Sequence, residues 1–135
     1  MDEVETRELH LTREGSSAVA SLRGFELFID EPEDKGGKNS GPRPTEYLLV
    51  ALAGCYTATF LRIAEKRKQS IERIECNVKG YIDRKENRVK HAEVSITVYA
   101  SMTDEEIEIV NRLAEKSCTV KNSLNTEVVI RAVRA

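Results

Sequence analysis

The stretch of residues 41–60, GPRPTEYLLVALAGCYTATF, constrains the fold of this chain more than any other. It predicts a helix from Thr45, the expected N-cap, to about Lys68. One face is marked by residues at spacings of three and four: Leu48, Leu52, Cys55, Thr59 and Ile63. Its other sides are also apolar, with Tyr47, Leu49, Val50, Phe60 and Leu61 spread over a wide arc. Such a helix is usually buried. One small sheet covers only one side of it, so we expect an obligate homodimer in which a second copy covers the rest.

The remaining sequence predicts strands in runs around two helices. Alternating patterns place strands at 4–12, 17–30, 71–82, 89–100 and 126–134, the second of them broken by a hairpin turn at Gly24. Residues 31–44 are rich in Gly and Pro and predict a loop, long enough to suggest a function. Thr103 and Glu106 form a capping box for a helix over 103–117, with Ile107, Val110 and Leu113 toward the core. The order β-β-β-α-β-β-α-β predicts an α+β fold with a mainly antiparallel sheet, in one domain over 1–135.

The composition disfavours several functional classes. The net charge is -2 and there is no Trp, which argues against binding to nucleic acid or to a membrane surface. The N-terminus has no apolar signal region, and no apolar run approaches the roughly 20 residues of a membrane span. We therefore expect a cytoplasmic protein. His10 and His91 are isolated, and there is no C-x-x-C, H-E-x-x-H or Walker motif, so we expect neither a metal nor another cofactor.

Three cysteines, Cys55, Cys76 and Cys118, do not form a secreted disulfide framework. Each one can be a core residue, and Cys76 alternates with Val78 as a core strand residue does. A reactive thiol must ionise. Cys55 lies in the middle of its helix, so a nearby cation, ideally an arginine, must lower its pKa. Cys118 follows the end of the second helix, where the negative field disfavours a thiolate. This asymmetry suggests that Cys55 attacks and Cys118 resolves.

Two motifs carry a resemblance to a known family. GPRPTEYLLVALAGCYTATFLRIAEKR resembles the segment around the reactive cysteine of the OsmC/Ohr family, the osmotically inducible and organic hydroperoxide resistance proteins. CTVKNSL, residues 118–124, is similar to the second cysteine motif of that family, and the order of elements agrees over nearly the whole chain. The resemblance implies an OsmC-like, intertwined homodimer with a long central helix in each chain.

The resemblance also implies an activity, the reduction of organic hydroperoxides. Cys55 would attack the peroxide and become a sulfenic acid, and Cys118 would condense with it to a disulfide. A small or lipoyl-type dithiol would restore the pair. Arg13, in TREGS, takes the place of an arginine beside the reactive cysteine, with Arg23 as the competing candidate. The expected apolar substrate pocket includes Leu49, Leu52 and Phe60.

The glutamate of the family pattern is displaced in this chain. In the peroxidase branch it directly follows the proline, ten residues before the cysteine; here Thr45 has that place and Glu46 comes next. In a straight helix Glu46 would lie about 13 Å from Cys55. We assign to Glu46 the role of orienting the arginine. The displacement also supports a second hypothesis, a non-catalytic dimer that binds a small apolar or thiol-reactive ligand at its interface. A purely structural dimer is a third.

Overall fold

In a computed structural model, residues 3–135 are described, and they form two compact units. One unit ends at Tyr47 and the other begins at Leu48. The fold is α+β, as the sequence predicts, and it contains two three-stranded sheets. The prediction of a single domain over 1–135 stays a prediction.

The first unit contains an antiparallel sheet of three short strands in sequence order. They are β1 (His10–Glu14), β2 (Ser17–Leu22) and β3 (Phe25–Ile29). The turn expected at Gly24 is confirmed: Arg23 and Gly24 have φ angles of 49° and 88°, as a two-residue hairpin of matching twist requires. The prediction that the first strand starts at residue 4 is wrong. His10 already pairs with Ser21 near the end of β2, so β2 offers residues 4–9 almost no strand to pair with.

The loop after β3 is organised by a buried carboxylate. Asp30 accepts hydrogen bonds from the hydroxyls of Ser17 (3.1 Å) and Ser40 (2.7 Å) and from three backbone N–H groups of the loop, those of Glu31, Lys38 and Ser40. A 3-10 turn, Glu33–Lys35, lies within the loop. The loop that the sequence predicts is therefore ordered around one side chain.

The long helix α1 runs from Pro44 to Lys66. It begins one residue earlier than predicted, and Thr45 is not its N-cap. Proline suits the first helical position because its φ is already helical and its missing N–H is not needed there. The Arg43 N–H donates to the Glu46 Oε1 (2.7 Å), while the Arg43 carbonyl accepts from the Glu46 and Tyr47 N–H groups. Arg43 thus occupies the capping position.

The second unit is a sheet with helices packed on its inner face. The strands β4 (Ile71–Asp83) and β5 (Arg88–Ala100) are antiparallel, and β6 (Glu127–Arg134) pairs with β5 in parallel. The helices α2 (Asp104–Ser117) and α3 (Thr119–Ser123) connect β5 to β6, which gives the chain the length that a parallel connection needs. The capping box of Thr103 and Glu106 is confirmed.

The core of this unit lies between the sheet and the buried stripes of α1 and α2. From α1 come Leu52, Tyr56, Thr59, Phe60 and Ala64. From α2 come Ile107, Val110 and Ala114, the stripe that ends at Cys118. The prediction that Leu113 faces the core is wrong: it is 39% exposed, because it lies about 100° around the helix from Ala114.

Helix α1 is covered on one side only. Its Val50 is 62% exposed and its Leu61 37% exposed. By length and composition this helix could cross a membrane, with a mean hydropathy of 1.5 over its most apolar window, of which 28% is buried. The sequence predicts no membrane-spanning segment, because no uninterrupted apolar run is long enough, and the helix differs from that expectation. A core helix of a soluble protein meets the same criterion, so the finding is weak evidence for a membrane span.

Candidate functional site

The second unit brings Cys55 and Cys118 together. Cys55 projects from the middle of α1, half-buried against the core, and Cys118 lies in the core at the junction of α2 and α3. Both thiols are free, and the Cys118 thiol donates a hydrogen bond to the Cys55 sulfur. The two residues are 63 positions apart in sequence, so only the packing of α1 against the α2–α3 junction makes them neighbours.

Hydrogen-bond donors hold the pKa of Cys55 below its ordinary value. Burial alone raises that pKa, because the thiolate loses hydration. The Val120 N–H, the Cys118 thiol and the Thr119 N–H all donate to the Cys55 sulfur, and together they outweigh the effect of burial. A sulfur that receives several hydrogen bonds is stabilised as a thiolate, which is the nucleophilic form.

The source of this stabilisation differs from the sequence-based expectation. We expected a cation to be required, since Cys55 is far from the start of its own helix. The role of a cation stays a prediction, and the donors that lower the pKa come from the first turn of another helix, α3, which the sequence analysis missed. Its five residues are too few to show a helical period.

Cys118 has the opposite protonation preference. Its side chain is fully buried, and burial is the main reason that its pKa is raised. The Lys121 N–H donates to its sulfur and partly offsets this, while the hydrogen bond with Cys55 and the charge of the Cys55 thiolate raise the pKa further. The expected asymmetry between the two thiols is therefore present, but it comes from burial and from α3. The pair can hold one thiolate and one thiol side by side.

Cys76 packs against the core, as expected of a strand residue. It lies on the inner face of β4, in register with Ile96 of β5, and burial raises its pKa. Cys76 is thus a poorer nucleophile than Cys55. Among residues 3–135, no group of three or more metal-ligating side chains is placed to hold a metal ion.

The remaining polar residues predicted for the site, Arg13, Arg23 and Glu46, lie in the first unit. The Arg13 Nη1 donates to the Ser16 carbonyl at 3.1 Å, across the hairpin of β1 and β2. Arg23 places its guanidinium carbon 5.3 Å from the centre of the Phe25 ring. Glu46 accepts the hydrogen bond that caps α1. No ion pair joins Arg13 to Glu46 within the part of the chain that the structure describes. The roles of these residues beside Cys55 stay predictions.

The three predicted pocket residues differ in accessibility. Leu52 and Phe60 are fully buried in the core of the second unit, so they line no open pocket there. Leu49 is half-buried and packs on β4 at Gly80, where an added Cβ would lie 2.9 Å from a Leu49 methyl group. Of the three, Leu49 is the residue that can meet a ligand without a change in the core.

The comparisons with known proteins give the same fold throughout. No curated protein is detectably similar in sequence. An OsmC-like protein of unknown function from Vibrio cholerae superposes with a TM-score of 0.85 at 19% identity, over 96% of this chain and 99% of that one. Two organic hydroperoxide resistance proteins are also similar. The one from Elizabethkingia anophelis has a TM-score of 0.76 at 15% identity, over 100% and 99% of the two chains. The one from Legionella pneumophila has 0.73 at 16%, over 98% of each.

The family model confirms the resemblance found in the sequence. The model described as "OsmC-like protein" matches residues 37–132, a range that includes both Cys55 and Cys118. The match extends over well more than half of the 135 residues. The chain therefore belongs to the OsmC-like protein family.

Proposed function

We propose that the protein is a thiol-dependent peroxidase that reduces organic hydroperoxides through Cys55 and Cys118. The observation that carries the proposal is the contact of two free thiols with opposite protonation preferences. Membership in the OsmC-like family and the two structural relatives named as organic hydroperoxide resistance proteins support it.

The chemistry proceeds in three balanced steps. The Cys55 thiolate attacks one oxygen of the O–O bond; an S–O bond forms, the O–O bond breaks, and the alkoxide takes a proton to leave as an alcohol. Cys118 then attacks the sulfur of the resulting sulfenic acid; an S–S bond forms, and hydroxide leaves as water with the proton lost by Cys118. A dithiol of the small or lipoyl type reduces the disulfide and is itself oxidised. The resolving step protects Cys55 from irreversible oxidation.

The remaining partners follow from the same proposal. The substrate is a hydroperoxide with an apolar alkyl group, and Leu49 is the pocket residue available to meet it. The proposed location is the cytoplasm, because thiols are kept reduced there and a dithiol can act as the reductant. The protein acts as a homodimer. Arg13 stabilises the developing oxyanion, as a fixed cation does in many sites, and Glu46 orients it.

Peroxide consumption in the presence of a dithiol tests the proposal. We expect turnover from the natural protein and from Cys76→Ser, the matched control with a thiol outside the pair. Cys55→Ser should be inactive, because no other thiol in the second unit has a lowered pKa. Cys118→Ser should form a sulfenic acid that dimedone traps and that no disulfide replaces. Equal turnover in the natural protein and in Cys55→Ser would remove the proposal.

A second candidate function is the non-catalytic binding of a small thiol-reactive ligand. It is favoured by Glu46, whose carboxylate caps α1. Mass spectrometry after mild peroxide treatment separates the two functions. A Cys55–Cys118 disulfide supports the peroxidase, whereas two unmodified thiols support the binding protein.

A further inference from the structure

Helix α2 stops at Cys118, although the chain continues directly into α3. The two helices are separated by this one residue, whose backbone is extended, with φ -76° and ψ 107°. In an uninterrupted helix the Val120 N–H would donate to the Lys116 carbonyl, four residues earlier. In this structure the Val120 N–H donates to the Cys55 sulfur instead. The break in the helix therefore decides which acceptor that N–H reaches.

The side chain of Asn122 takes the place of that N–H at the Lys116 carbonyl. Its amide Nδ2 donates to the Lys116 oxygen at 3.0 Å. The Asn122 backbone N–H donates to the Cys118 carbonyl at 2.9 Å, so one residue contacts the chain both at the helix break and just before it. The carbonyls in the last turn of a helix have no partner within that helix and need one from elsewhere. Asn122 supplies the partner for Lys116 and leaves the Val120 N–H free for Cys55.

A continuous helix is the competing conformation of this segment. It would direct the Thr119 and Val120 N–H groups at backbone carbonyls of α2, and both donors to the Cys55 sulfur would be lost. Helix α3 has only five residues, and so short a helix is marginal without contacts outside itself. Asn122 is exposed, and asparagine forms helix less readily than alanine does. Its amide contact at the break is thus the contribution that distinguishes it from other residues at this position.

We propose that Asn122 is a positioning residue for Cys55. Its amide occupies the Lys116 carbonyl, which keeps the helix broken at Cys118. The break in turn holds the first N–H groups of α3 at the Cys55 sulfur. The inference concerns the ionisation of Cys55 in the resting protein, and it rests on the proposed peroxidase function only for the use that is made of the thiolate.

The test follows the alkylation of Cys55 by iodoacetamide as a function of pH, with peptide mass spectrometry to separate the three cysteines. Asn122→Ala should move the pH profile of Cys55 to higher pH by about one pH unit. Alkylation near neutral pH then slows about tenfold, the effect of one hydrogen bond to a charged group. At high pH, where Cys55 is ionised in both proteins, the two rates should converge. Asn125→Ala is the matched control: it removes an exposed amide that accepts from the Arg88 Nη1 at 2.7 Å, two residues beyond α3, and should leave the profile unchanged.

A double variant separates the helix break from other effects of the substitution. Thr119→Pro imposes the break without help from Asn122, because the residue before a proline avoids the helical region of φ and ψ. In the Thr119→Pro background, Asn122→Ala should therefore not slow the alkylation of Cys55 any further. An equal slowing in both backgrounds would show that the two sites act independently, and it would overturn the proposal.

The backbone amide resonances give a direct readout of the same contact. In the natural protein the Val120 amide proton should shift as Cys55 titrates. In Asn122→Ala this pH dependence should be lost, because the Val120 N–H turns to the Lys116 carbonyl. A lower melting temperature with the Val120 titration still in place would show that Asn122 has a structural role only.

The outcomes distinguish this inference from the proposed function. An unchanged alkylation profile in Asn122→Ala overturns the role of Asn122, whether or not the protein consumes peroxide. A shifted profile in a protein that does not consume cumene hydroperoxide with a dithiol keeps the role of Asn122 and removes the peroxidase. A shifted profile, matched by a slower reaction of Cys55 with one equivalent of cumene hydroperoxide near neutral pH, supports both.

Discussion

At the scale of single residues, two buried polar groups have opposite environments. The Asp30 carboxylate receives hydrogen bonds from two hydroxyls and three backbone N–H groups, and it fixes the loop between β3 and α1. The Tyr56 hydroxyl receives and gives none within the described residues. A satisfied buried charge that ties a loop together is a structural device. An unsatisfied hydroxyl has no comparable structural use.

The carboxylate of Asp30 makes the first unit sensitive to acid. The Ser40 hydroxyl is the main cause of the lowered pKa of Asp30, and the Glu31 and Ser40 N–H groups add to it, against the effect of burial. In the unfolded chain the pKa of Asp30 is near its ordinary value of 3.8. A depressed folded pKa means that the stabilisation is present above the unfolded pKa and is lost as the pH falls through the folded one.

We therefore predict that Asp30→Asn lowers the melting temperature at pH 7. The difference from the natural protein should begin to shrink below about pH 4, where the carboxylate of the unfolded chain binds a proton while that of the folded chain is still ionised. Thermal unfolding followed by circular dichroism between pH 7 and pH 3 measures both effects. Asp34→Asn, an exposed carboxylate of the same loop, is the control and should change little. A constant difference at every pH would contradict the assigned role.

At the scale of elements, the short helix α3 acts with burial to set which thiol of the pair ionises. Its residues Thr119 and Val120 present their N–H groups to Cys55, while Cys118 occupies its N-cap position. The Cys118 backbone is extended, with φ -76° and ψ 107°. A proline at the next position, the first of the helix, is compatible with such a backbone and removes one N–H.

We predict that Thr119→Pro raises the pKa of Cys55, because one donor to the thiolate is lost. Alkylation of Cys55 by iodoacetamide at pH 7 should slow about tenfold, the effect of one hydrogen bond to a charged group. Peptide mass spectrometry separates Cys55 from Cys76 and Cys118. Thr119→Ala keeps the N–H and should alkylate at the natural rate. If both variants slow equally, the threonine side chain matters and the backbone donor does not.

The elements also show what the sequence could predict and what it could not. The bounds of α1, α2, β4 and β5 were predicted within a residue or two, because each is long and strongly periodic. The strand predicted from residue 4 and the inward orientation of Leu113 failed because pairing register and helix rotation depend on contacts between elements. The contact of Cys55 with Cys118 was implied by the family resemblance. The donors from α3 and the unpaired hydroxyl of Tyr56 arise only in the folded chain.

At the scale of the whole molecule, each unit has apolar surface that its own residues leave uncovered. Among residues 3–47 of the first unit, only two apolar residues are buried, Ala18 and Ala20, while Leu11, Phe25, Leu27 and Phe28 are exposed. A three-stranded sheet needs a packed hydrophobic face for stability. In the second unit, Val50 of α1 is 62% exposed, and a groove of about 320 Å³ beside Leu61 runs between α1 and β4. We propose that a second copy of the chain covers these surfaces.

The dimer can be tested with one charge on α1. Sedimentation velocity should give the natural protein twice the 15.2 kDa mass of a chain. Val50→Glu places a carboxylate on the uncovered side of α1, and burying it without a partner in a dimer costs more than the contact contributes. We expect the dissociation constant to rise at least about tenfold, which corresponds to about 1.4 kcal/mol. Val129→Glu adds the same charge at a residue of β6 that is 50% exposed, on the strand face opposite the core-packed Val128 and Ile130, and should leave the dimer intact. A natural protein that sediments as a monomer, or a Val50→Glu variant that dimerises as tightly as Val129→Glu, would show that the uncovered side of α1 is not the interface.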